Sequence, residues 1–103
     1  SSSTPEIKLY CDEKIKFSIL DKIVEDIPKH YDSRVNLITI DGLRLETENF
    51  WFLFRASNTQ NCIVFRLEHF VKEKFKGELI KLISILNSYS LDIKELTSFN
   101  QTI

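Results

Sequence analysis

Apolar positions along this chain recur with two different periods, and each change of period marks an element. Glu6-Ile7-Lys8-Leu9-Tyr10 alternates, which predicts a short strand, placed at a sheet edge by its length and its lysine. Asp12 can cap a following helix. Phe17, Leu20, Ile23, Val24 and Ile27 then come at steps of three and four, which predicts a helix with one apolar face. Pro28 closes it. Lys14, Asp21 and Glu25 form its solvated face.

Arg34 to Ile40 reads as a strand in which Val35, Leu37 and Thr39 fall on one side and Asn36, Ile38 and Ile40 on the other, two apolar residues and one polar in each set, so the pattern leaves open which side meets the core. Asp41-Gly42 is a strong turn signal. It makes either a tight hairpin or a kink in one long strand running on through Leu43, Leu45 and Thr47. Phe50 to Arg55 is the next strand, with Trp51, Leu53 and Arg55 on one face and Phe52 and Phe54 on the other. Trp51 is predicted to lie in the core. A last strand runs from Cys62 to Glu68, with Arg66 and Glu68 on one face and able to pair. Val71, Phe75, Leu79, Leu82, Ile83 and Leu86 predict a second amphipathic helix. Gly77 either sits inside that helix or forces it to begin near Lys76. Residues 88–103 show no clean period.

These elements add up to an α+β domain, a small antiparallel sheet of about four strands with two helices on one face. At 103 residues the chain suits one domain, 1–103, with 1–5 and 89–103 expected to be peripheral. Net charge is −1, which argues against a nucleic-acid partner. No apolar run is long enough for a membrane span. Cys11 and Cys62 are in no metal-ligand spacing and read as free thiols in a reducing cytoplasm. His30 and His69 stand alone, so no metal site is expected.

The chemistry concentrates between the two most apolar strands, in Arg55-Ala56-Ser57-Asn58-Thr59-Gln60-Asn61. This segment holds a guanidinium, two hydroxyls and several amides, and no carboxylate. Arg55 offers a planar donor fork matched to phosphate oxygens. Ser57 and Thr59 offer hydroxyl donors. Asn58 tolerates a left-handed backbone, which would turn successive N–H groups inward as an anion nest. The plain alternative is a polar connector with Arg55 in a surface ion pair.

Asp41-Gly42, Trp51, Arg55-Ala56-Ser57-Asn58-Thr59 and Arg66-Leu67-Glu68, in that order and spacing, resemble the C-terminal domain of the α-D-phosphohexomutases. The likeness extends over about residues 6–88. The Asn58 position leans toward the phosphomannomutase/phosphoglucomutase branch, since phosphoglucosamine mutases carry glycine there. Gln60 and Asn61 depart from the Glu and Pro common in that family. Neither change removes a donor.

The resemblance implies a TATA-binding-protein-like domain fold, a kink at Asp41-Gly42 and the chain reversal at Thr47-Glu48-Asn49. It implies an enzyme of four domains that moves a phosphoryl group between the 1- and 6-hydroxyls of a hexose, using a phosphoserine and Mg²⁺ held by aspartates. None of those catalytic parts is legible here, so the resemblance implies no catalytic residue and no metal ligand in this chain, and no mutase activity for the chain alone. It gives Arg55, Ser57, Asn58 and Thr59 the phosphate that is not being transferred. The partners so implied are the hexose phosphate and the remaining domains of the same enzyme, without nucleic acid or membrane. The alternative from another class is a stand-alone binding module with no catalytic role.

Overall fold

The computed structural model describes residues 1–103. Six antiparallel strands form one sheet: β1 (Ser2–Ser3), β2 (Ile7–Tyr10), β3 (Asn36–Ile38), β4 (Leu43–Glu46), β5 (Phe50–Ala56) and β6 (Cys62–His69). From one edge the order is β3, β4, β5, β6. The other edge is shared by β1 and β2, which pair with successive stretches of β6. Thr4 joins the two, its N–H donating to the Leu67 carbonyl (2.9 Å) and its hydroxyl accepting from the Leu67 N–H (3.1 Å). Pro5, which has no N–H to give a ladder, marks the interruption. Residues 1–5 are therefore part of the sheet edge and not peripheral: Thr4 is buried because its hydroxyl replaces a backbone group.

The period-two alternation sorts the sheet into two faces. Ile7, Phe65, Phe54 and Leu43 stand in one cross-strand row and are all buried. Leu45, Phe52 and Leu67 form the next row on the same face. Each such buried side chain contributes about 1.5–3 kcal/mol relative to exposure. Three helices cover this face: α1 (Lys16–Asp26), α2 (Phe75–Leu86) and α3 (Lys94–Gln101). Their buried residues, among them Ile19, Ile23, Leu79, Leu82 and Leu96, belong to the same core. The α+β architecture is as expected, with six strands and a third helix beyond the anticipated four and two.

Several expectations are corrected. Residues 89–103 are not peripheral, since α3 sends Leu96 fully into the core and Tyr10 bridges to Asp92. Its eight residues hold a single buried position, too little to show a period. In α1 the buried face is Ile19, Leu20 and Ile23, and Phe17 is exposed. Asp12 caps a single 3₁₀ turn (Glu13–Ile15), which shifts the helix start and rotates Phe17 outward. Asp41-Gly42 is a true reversal, because β3 and β4 pair antiparallel with Ile38 opposite Arg44. Thr47-Glu48-Asn49 reverses the chain as well. Gly77 sits inside α2, and Val71 lies before the turn that leads into it.

Trp51 is not in the core. Phe52 and Phe54 face the helices, so parity turns Trp51 to the opposite, uncovered face. There its indole N–H donates to Glu68 Oε1 (3.1 Å), and Arg44 stacks on its ring at 4.3 Å. Arg66 also lies over the ring, at 5.7 Å, and Glu68 takes the indole and the Ser1 hydroxyl (3.1 Å) in place of the Arg66–Glu68 pair that was anticipated.

Candidate functional site

Strand β5 carries Arg55 on the uncovered face, near the point where the chain leaves the sheet. The turn that follows is closed by its own backbone, the Ser57 N–H donating to the Cys62 carbonyl (3.0 Å) and the Cys62 N–H to the Gln60 carbonyl (2.9 Å). Inside it the Ser57 hydroxyl oxygen accepts from the N–H groups of Thr59 (3.3 Å) and Gln60 (3.1 Å). A serine folding a turn onto itself in this way is the usual role of the residue there. Its O–H proton is left free to donate, because both bonds use the oxygen as acceptor.

The anion nest does not form. No residue other than Gly42 has positive φ, so Asn58 stays out of the left-handed region, and two of the turn's N–H groups are spent on Ser57. The donors left facing outward are side chains. Asn58 and Thr59 are exposed, and neither side chain is engaged within the protein.

The turn is held from behind by a residue that sequence reasoning passed over. Lys16, the first residue of α1, is buried, with 3% of its surface exposed. Its Nζ donates to the carbonyls of Ser57 (2.9 Å) and Gln60 (3.3 Å) and pairs with Glu13 at 3.1 Å. A buried ammonium is stable only with such partners. Lys16 thereby draws two carbonyls inward and leaves the outer side of the turn to donors. No local pattern announces it: it sits at a helix start, where a lysine ordinarily reaches solvent.

Arg55 lies 3.8 Å from the Glu6 carboxylate, with both side chains more than half exposed (56% and 51%). Exposed pairs of that length are weak. The surface ion pair anticipated as the plain alternative therefore exists, but it does not bury the guanidinium. Arg55, Ser57, Asn58 and Thr59 all line one open hollow of about 320 Å³. Glu6 and Lys8 complete its rim. They come from β2 and the residue before it, some 50 positions earlier in sequence, and reach the hollow only through the pairing of β2 with β6. Gly42 supports the base of the arrangement from the other side: a Cβ there would fall 2.1 Å from the Phe54 carbonyl oxygen and 3.1 Å from the Arg55 Cα.

A larger hollow, about 610 Å³, opens near Lys29, His30, Lys81 and Tyr89. Its charged groups are already engaged: Lys29 pairs with Asp26, which also accepts from the Tyr89 hydroxyl, and Lys81 donates to the His30 carbonyl. No three His, Cys, Asp or Glu side chains gather in a cluster suited to a metal ion. His69 is buried, with Nδ1 accepting from the Val71 N–H (3.1 Å). Cys11 and Cys62 are free thiols, and burial raises the Cys11 thiol above its ordinary range. No helix is long and apolar enough to cross a membrane.

No family model matches the chain. Individual relatives do. A probable phosphoglucosamine mutase of Pyrococcus horikoshii is 33% identical over 91 residues, 88% of this chain and 19% of that protein. A phosphomannomutase/phosphoglucomutase of Pseudomonas putida is 37% identical over 87 residues, 78% of this chain and 18% of that protein. Among solved structures, a phosphoglucomutase/phosphomannomutase family protein of Burkholderia thailandensis superposes with a TM-score of 0.68 at 26% identity. That match covers 89% of this chain and 19% of the other. The chain thus spans less than a fifth of the length of these relatives, and both mutase names occur among them. A shared fold together with this degree of identity over most of its residues means that the chain belongs to the α-D-phosphohexomutase family and corresponds to its C-terminal domain.

Proposed function

We propose that this chain is the substrate-phosphate-binding domain of a phosphomannomutase/phosphoglucomutase, gripping the phosphate of a hexose phosphate that is not being transferred. The observation that carries this reading is the convergence of Arg55, Ser57, Asn58 and Thr59 on one open hollow. Arg55 is the main charge partner and trades its weak contact with Glu6 for a bidentate grip on the ester. Ser57 and Thr59 donate through their hydroxyls, and Asn58 through its amide.

The advantage is positional. Holding the remote phosphate sets the reacting one where the rest of the enzyme can act on it, so binding energy far from the chemistry raises its rate. A hexose bisphosphate that turns end over end must be held by either phosphate. Hydroxyls, an amide and a guanidinium do this without reading the stereochemistry of the ring.

The chemistry of phosphoryl transfer would belong to other parts of the enzyme. The Mg²⁺ that the family implies does not fit this hollow, whose single carboxylate, Glu6, stands beside Arg55, whereas that ion wants several oxygen ligands. No step of this reading runs through it here. The same reading places the protein in the cytoplasm, with which two free thiols agree.

Replacing Arg55 by Ala in the intact enzyme tests the proposal. Steady-state kinetics should show kcat/KM lowered by roughly 2–4 kcal/mol of transition-state binding. A change smaller than about threefold would remove Arg55 from the role.

A further inference from the structure

We infer that Lys8 is a second cationic contact for the bound phosphate and makes the hollow selective for a doubly charged ester. The inference rests on the reading of the Arg55 turn given above and adds to it a residue outside that turn.

The register supports it. Lys8 pairs with Val64 of β6, and Val64 pairs with Arg55 of β5. The three therefore stand in one cross-strand row on the face away from the helices. Val64 is short and buried at 5% exposure, lying between two long basic side chains. Two strand spacings separate the Lys8 and Arg55 backbones by about 9.6 Å. Both side chains can lean over Val64 and meet one group from opposite sides. Lys8 lines the same hollow as the turn and has no carboxylate within ion-pair distance. Its backbone is held independently, the Lys8 N–H donating to Glu95 Oε1 of α3 (3.2 Å).

Charge counting says why a second cation is needed. Glu6, Lys8 and Arg55 are the only ionised side chains on the rim. Arg55 and Glu6 cancel, so without Lys8 the hollow is neutral. With Lys8 it carries one net positive charge. A phosphate monoester is close to doubly charged at neutral pH, and an approach past Glu6 would be opposed if Arg55 were its only attraction. Lys16 does not supply the missing charge, because it lies behind the turn, paired with Glu13 and bound to two carbonyls.

The test uses the intact enzyme with glucose 1-phosphate and compares Lys8→Gln, Lys8→Arg and Arg55→Ala. Lys8→Gln should lower kcat/KM about tenfold at low ionic strength, with the loss shrinking as salt rises. Lys8→Arg should restore activity to within about threefold, because charge and not side-chain shape is at issue. Thermal unfolding of both Lys8 variants should match the wild type, which separates a charge effect from damage to the strand. If Lys8→Gln changes kcat/KM less than twofold while Arg55→Ala is crippled, Lys8 has no such role and the Arg55 reading stands. If neither variant is affected, both readings fall. A Lys8→Gln loss that salt leaves unaltered, or that Lys8→Arg fails to restore, also overturns the inference.

Discussion

At the scale of single residues, the site depends on where polar atoms are spent. Ser57 uses its oxygen to close the turn, and its hydroxyl proton stays free to donate. Lys16 spends all its capacity on the turn's carbonyls and on Glu13. Replacing Lys16 by Met would keep its length and remove its donors, leaving the Ser57 and Gln60 carbonyls without their partner. The expected cost is about 1–3 kcal/mol in chemical denaturation. Amide exchange should also quicken across residues 57–61. Unchanged exchange in that segment would mean the turn holds its shape without Lys16.

At the scale of elements, the two glycines make opposite demands. Gly42 has φ of +108°, and a Cβ there would collide with the Phe54 carbonyl oxygen at 2.1 Å. Gly42→Ala should therefore destabilise by at least about 2 kcal/mol and disturb β5 beside Arg55. Gly77 lies in the first turn of α2 with open space around the position a Cβ would take. Gly77→Ala should stabilise by about 0.5–1 kcal/mol. Thermal melting checks both, since 1 kcal/mol moves Tm by about 4–8 °C in a domain of this size. A Gly77→Ala variant that melted lower would refute the helix placement.

At the scale of the whole molecule, a buried histidine makes one contribution to the pH dependence of stability. Burial pushes His69 below its ordinary value of 6.5, with Lys74 acting in the same direction and Glu78 against it. Its Nδ1 accepts from the Val71 N–H, a bond that only the neutral ring can make. The folded state therefore binds this proton more weakly than the unfolded one. The stability it contributes is fully present above pH 6.5 and is lost as pH falls from there through the lowered value. A His69→Gln variant should flatten the pH dependence of denaturant midpoints in that window, and an unaltered slope would assign the dependence elsewhere.

How much of this was legible in the sequence follows from how local each cause is. The β5 and β6 strands, the first and second helices and the Arg55 turn rest on patterns contained within a few residues. The strand at Ile7–Tyr10 was legible too, and its place at an edge. What escaped was set by pairing between distant segments. Trp51 faces outward because Phe52 and Phe54 win the inner face. Lys8 and Glu6 reach the hollow because β2 lies on β6, and Lys16 reaches the turn because the fold sets the start of α1 against residues some 40 positions later. Leu96 secures α3 from a helix too short to display a period. The family resemblance pointed to the turn, but not to the residues that brace it, such as Lys16.

The most direct measurement is a crystal structure of the intact enzyme with a hexose phosphate bound. The phosphate remote from the reacting centre should lie within hydrogen-bond distance of the Arg55 guanidinium and the Ser57 and Thr59 hydroxyls, with Arg55 turned from Glu6 toward it. A bound substrate whose phosphates both lie elsewhere, with Arg55 still on Glu6, would contradict the account.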